Sequence, residues 1–199
     1  MGEHPVVQAG DPVLRRRASE VPAQEITADA TGELIQRMWA TLAEVPGVGL
    51  AAPQIGESRR VIVVQDLAKY HETISVDRMI ERERTTIEPY VLINPEISPV
   101  GDAMRTFFEG CLSIKGYVAA VDRHHEVDLS FVDPAGQVHC RRIRGWHARI
   151  LQHEVDHLDG CLYVDRMDPR TFCSQEEFPM YGAMSVDEAI RKLAGPATE

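Results

Sequence analysis

The feature that most restricts this chain is the pentapeptide His153-Glu154-Val155-Asp156-His157. It lies in a segment opened by Gly145-Trp146, in which Ile150, Leu151, Val155 and Leu158 recur at helical intervals until Asp159-Gly160 supplies a stop. At 3.6 residues per turn the two histidines stack on one helix face, within reach of one cation, and Glu154 lies beside the cation's open position. A polar surface turn with two unrelated histidines is the competing reading. It is weakened because the motif falls inside an amphipathic helix recognised independently of it.

Two histidines leave a catalytic metal short of the usual three protein ligands and one exchangeable water. The chain has no HExxHxxGxxH extension. The candidates for the third donor are a downstream His or Glu, as in ordinary metalloproteases (Glu176 or Glu177 in an endopeptidase reading), or a thiolate such as Cys111 in Glu109-Gly110-Cys111-Leu112-Ser113. Taken alone, Cys111 reads more readily as a small buried hydrophobe.

With 199 residues and 44% hydrophobic content, one domain spanning residues 1–199 can bury its own core. Its 21 Lys and Arg against 31 Asp and Glu, a formal charge of -10, would repel phosphate backbones and anionic lipid, so direct nucleic-acid binding is not expected. The four cysteines form no CxxC pair, which fits a reducing compartment. No signal-type or membrane-spanning apolar run is found. A soluble intracellular protein is expected, with room for an organellar presequence already removed.

Elsewhere, Leu34, Ile35, Met38, Trp39, Leu42 and Val45 predict an amphipathic helix over 27–45, ended by Pro46-Gly47. β-rich runs follow at 61–64 and 90–93, separated by the polar stretch 65–89, read as a surface insertion with a solvated helix after Ser75 and no chemistry. Val127, Leu129 and Phe131, the turn Asp133-Pro134-Ala135-Gly136, and Val138, Cys140 and Arg142 predict a β-hairpin. Ser185-x-x-Glu188 resembles a capping box for a short terminal helix in the extension 173–199.

Three segments in order, Gly47-Val48-Gly49-Leu50-Ala51-Ala52-Pro53-Gln54, EGCLS at 109–113 and QHEVDHLDG at 152–160, resemble the signature of the peptide deformylases. With GDPVLRRRA near the start and GWHARILQHEVDHLDGCLYVDRMDPRTF at 145–172, the pattern is similar to the plant and mitochondrial branch and extends to about Phe172. The resemblance implies an α+β fold with antiparallel β-sheets around a central helix bearing the HExxH motif. It implies ligands Cys111, His153 and His157 for one divalent ion, commonly Fe²⁺, with Zn²⁺, Ni²⁺ or Co²⁺ as alternatives. The implied activity is removal of the formyl group from the N-terminal methionine of nascent polypeptides.

By the same resemblance, Glu154 is the general base toward water activated by the cation, and Gln54 and the Leu112 backbone N–H are oxyanion donors. Val48, Gly49 and Gly110 would bind substrate, with Trp146 and Tyr117 as further pocket candidates. Many bacterial members carry Arg where this chain has Val118, so peptide anchoring beyond methionine is expected to differ. The amphipathic tail helix is a candidate ribosome-docking element, against the simpler expectation that it packs on its own domain. A silent metal or peptide-binding module on the same fold is a further alternative, disfavoured by the intact Glu154 and Gln54.

Overall fold

A computed structural model describes residues 6–178 and 184–195; the parts of the 173–199 extension outside those ranges are not described. The apolar stripe near the N-terminus forms helix α1 (Asp29–Ala43), which buries Leu34, Met38 and Leu42, one per turn. Strands β1 (Gly49–Ala51), β2 (Val61–Asp66), β3 (Ile87–Pro99), β6 (Glu126–Val132) and β7 (Val138–Arg144) make a five-stranded sheet in that order. β4 (Met104–Cys111), β5 (Ile114–His124) and β8 (Cys173–Ser174) make a three-stranded one. All strand pairings are antiparallel, and the expected hairpin is β6–β7, its turn held by Asp133 Oδ1 accepting from the N–H groups of Ala135 and Gln137 at 2.9 Å each.

Helix α3 (Gly145–Leu158) carries the HExxH motif and is buried on most of its circumference. Ile150, Leu151, Val155 and Leu158 pack with Ile62, Val64, Leu92 and Leu129 of the five-stranded sheet, while Arg149, His153 and Asp156 face charged partners on β4 and β5. A helix apolar on one flank and ionic on the other is thus held between two sheets.

Within the 65–89 stretch, α2 (Val76–Glu81) is exposed, with Val76 73% and Ile80 69% accessible. The stretch is not wholly solvated, however. The Trp146 N–H at the start of α3 donates to the Arg82 carbonyl at 2.9 Å, satisfying one of the helix's free amides. Gly145 has φ +62 and leaves no room for a Cβ, which would lie 2.7 Å from Glu83 Cβ. Arg84 forms paired bonds of 2.7 and 2.8 Å to Asp66, which is fully buried. A polar composition concealed these inward contacts, because charged residues are rarely buried unless paired.

The terminal helix α4 (Val186–Ala194) has the expected capping box: Ser185 Oγ accepts from the Glu188 N–H at 3.3 Å and Glu188 Oε2 accepts from the Ser185 N–H at 3.1 Å. Its apolar side, with Ala189, Ile190 and Leu193, packs on Phe108, Val118 and Ala120 of the three-stranded sheet. Val118, the position where the resemblance would place an anchoring Arg, is 8% exposed in that apolar cluster.

Candidate active site

Strand β4 presents Glu109 and Cys111 two residues apart, hence on one face, and α3 brings His153 and His157 up to that face. Cys111, His153 and His157 offer ligand atoms all within 4.8 Å of one another. Among the described residues no other such group is present, so Cys111 rather than Glu176 or Glu177 joins the two histidines. Cys111 Sγ lies 3.3 Å from His157 Nε2 and accepts from the Ser113 N–H at 3.4 Å in the turn that joins β4 to β5.

The second sphere is built from charge. His153 Nδ1 lies 2.9 Å from Glu109 Oε2; a proton on Nδ1 suits that contact and turns Nε2 to the Cys111 side, where its lone pair could hold a cation. Glu109 also takes Arg123 at 3.0 Å and Arg149 at 2.5 Å, and Arg123 continues to Asp156, which meets Arg166 at 2.7 Å. Burial alone would raise the Glu109 pKa, but His153 and Arg123 hold it well below the usual carboxylate range. Burial likewise disfavours charge on His153, yet its contacts to the Cys111 sulfur and Glu109 outweigh that and raise its pKa well above ordinary imidazole. His157, whose Nδ1 is buried without a hydrogen-bond partner among the described residues, is held well below by burial. Sequence reasoning assigned no role to Glu109, Arg123, Arg149 or Asp156. The two-residue spacing of Glu109 and Cys111 was the available signal for the first of these.

Glu154 is 5% exposed, its Oε2 has no hydrogen-bond partner among the described residues, and burial pushes its carboxyl up to about 7. A Cβ at Gly49 would fall onto this carboxylate, 2.8 Å from Cδ and 2.9 Å from Cγ, so the glycine is what admits Glu154. Gln54 is 1% exposed and its Oε1 accepts from the Ala51 N–H at 2.9 Å. That bond fixes the amide's orientation and turns Nε2 toward Cys111 Sγ (3.7 Å) and Ser113 Oγ (3.4 Å).

Val48, Gly49, Gln54, Gly110, Cys111, Leu112, His153 and Glu154 line one groove of about 990 Å³, with His157 buried beneath. Trp146 also lines it, its ring flanked by Arg82 at 4.7 Å and Arg84 at 5.4 Å. Tyr117 does not: although it shares a strand face with Lys115, which lines the groove, its ring stacks on Phe172 at 4.8 Å and is held there. The donor set suits a borderline-soft divalent cation, and the unpartnered Glu154 oxygen beside it suits a proton carrier. The residues present therefore fit a catalytic metal site.

Comparison with known proteins agrees with this geometry. The polypeptide deformylase family model matches residues 3–172. The chain is 42% identical over 88% of its length to peptide deformylase 1A, chloroplastic, of Solanum lycopersicum, and 44% identical over 87% to peptide deformylase 1 of Streptomyces coelicolor. The match spans 63% of the tomato protein, less than two thirds, and 77% of the Streptomyces one. The Met-Ala-Ser-bound crystal structure of a class I type b peptide deformylase from Acinetobacter baumannii superposes with a TM-score of 0.72 at 34% identity, covering 82% of this chain and 97% of that one. With its metal-type triad, its sheets around the HExxH helix and these matches in accord, the chain belongs to the polypeptide deformylase family.

Proposed function

We propose that this chain hydrolyses the N-terminal formamide of newly made polypeptides, releasing formate and a free methionine amine. The observation that carries this reading is the convergence of three metal-type donors, an unpartnered buried carboxylate and an oriented amide on one groove. Cys111, His153 and His157 would hold the cation, which when bound supplies Lewis acidity and a lowered pKa for water. Glu154 takes the proton of the attacking water and returns it to the departing amine. Gln54 Nε2 and the Leu112 N–H donate to the oxyanion as it forms. The Gly49 and Gly110 backbone runs beside the peptide, while Val48 and Trp146 shape the pocket for the methionine side chain.

Fe²⁺ is the proposed physiological ion, and Zn²⁺, Ni²⁺ and Co²⁺ also suit one thiolate and two imidazoles. A peptide substrate is supported by the Acinetobacter relative, described as bound to Met-Ala-Ser. The setting is one where translation starts with formyl-methionine, a bacterial cytoplasm, mitochondrion or plastid; no described helix is long and apolar enough to cross a membrane. A ribosome contact through α4 would use its charged side, since its apolar side packs on Phe108 and Val118.

The test is direct. Protein loaded anaerobically with Fe²⁺ or Ni²⁺ should release formate from a formyl-Met peptide in step with new amino termini, and leave the unformylated twin intact. Internal cleavage of that twin, without formate, would replace this reading with an endopeptidase.

A further inference from the structure

The groove's charges are unevenly satisfied. Arg84 and Arg149 line it but are committed to Asp66 and Glu109. Lysine occurs three times in the chain, at Lys69, Lys115 and Lys192, and the first two line the groove. Both are exposed, and neither forms an ion pair among the described residues.

Lys69 has a placed side chain, and Lys115 stands on a fixed stretch of backbone. The Lys69 ammonium lies 5.2 Å from the centroid of the Tyr70 ring, and the Tyr70 hydroxyl accepts from Gln65 Nε2 at 3.2 Å. The next residue, His71, has its Nε2 3.0 Å from the same Asp66 that holds Arg84, without forming a hydrogen bond to it. Lys115 follows the Leu112–Ser113 turn at the start of β5, where the Gly116 carbonyl accepts from the Gln175 N–H at 2.8 Å. Among the groove's acids Glu109 and Glu154 are buried, leaving Glu44 as the exposed one. Among the groove's exposed side chains, two unpaired cations thus face one anion, in a chain of formal charge -10. A flexible ammonium is suited to meeting carboxylates at more than one position along an extended peptide.

We infer that Lys69 and Lys115 form a subsite for acidic side chains in the residues that follow formyl-methionine, so that acidic N-termini are preferred substrates; the inference rests on the deformylase reading. An exposed ion pair is worth little, so the expected preference in kcat/KM is roughly two- to fivefold per contact, carried mainly by KM.

The experiment compares formyl-Met peptides of one length bearing Asp, Ser or Arg at the next positions, at low and at high salt. The expected order is acidic, neutral, basic, shrinking at high salt as screening shortens the field. The order should collapse in Lys69→Gln/Lys115→Gln protein of normal metal content and persist in Lys192→Gln. Equal kcat/KM across the peptides, a reversed order, or an order that survives in the double variant overturns the inference while leaving deformylation intact. Absence of formate release from every peptide overturns the deformylase reading and this inference with it.

Discussion

The two flanks of α3 use opposite means to hold one helix. Toward the five-stranded sheet, Leu151 and Leu158 are fully buried among Ile62, Val64, Leu92 and Leu129, where volume and shape decide the energy. Toward the three-stranded sheet, Glu109, Arg123, Arg149 and Asp156 form a buried ionic network ending on His153. Desolvation consumes much of what such pairs gain, so a buried ion network is weak evidence for stability and a better candidate for positioning. The apolar flank holds the helix; the ionic flank aims its imidazole.

The largest effect expected on the aimed side comes from Glu154→Gln, which keeps shape and removes the proposed base: kcat should fall by about 10² to 10⁴ with metal content unchanged. Near-normal turnover by the fully metallated variant would remove Glu154 from the mechanism. Gln54→Ala should lower kcat by roughly 10² to 10³ with the metal retained; a change confined to KM would instead make Gln54 a binding residue. Glu109→Gln tests the comparison itself. It should weaken metal affinity by about 10- to 100-fold through loss of the His153 contact, and leave Arg123 and Arg149 short of a counter-charge, costing on the order of 3 kcal/mol in urea unfolding. Lost stability with unchanged metal affinity would mean the network is structural only.

On the opposite flank, Leu151→Ala should cost about 2 to 5 kcal/mol of stability, while folded protein keeps its metal affinity and kcat. Reduced metal affinity in that variant would break the division between the flanks.

The division also marks how far the sequence could be read. Periodic burial is a local pattern, so α1, α3 and the β6–β7 hairpin were legible from residues such as Leu34, Met38, Leu129 and Phe131. The two histidines were legible because helical spacing juxtaposes them, whereas Cys111 and Gln54 depended on resemblance, their partners lying on distant elements. The ionic flank was hidden for a different reason. Arg123, Arg149 and Asp156 come from a strand and two turns of a helix, and each in isolation looks like surface charge. Arg82 and Arg84 were hidden in the same way inside a polar stretch. Tyr117 shows the converse error, an aromatic near the site whose ring is taken up by stacking on Phe172, a partner brought in by a distant segment.

The packing of α4 bears on how the chain must be made. Phe108, Val118 and Ala120 are synthesised long before Ala189, Ile190 and Leu193, which complete the cover begun by Phe178. Until those last turns emerge, the three-stranded sheet shows part of its apolar face to water, although the candidate metal triad, Glu154 and Gln54 are already present. A chain interrupted before Val186 would be chemically equipped yet prone to self-association through that face. Inactivity of such truncated material would then report aggregation, and a detergent or a partner for the bare sheet should restore turnover without any change to the catalytic residues.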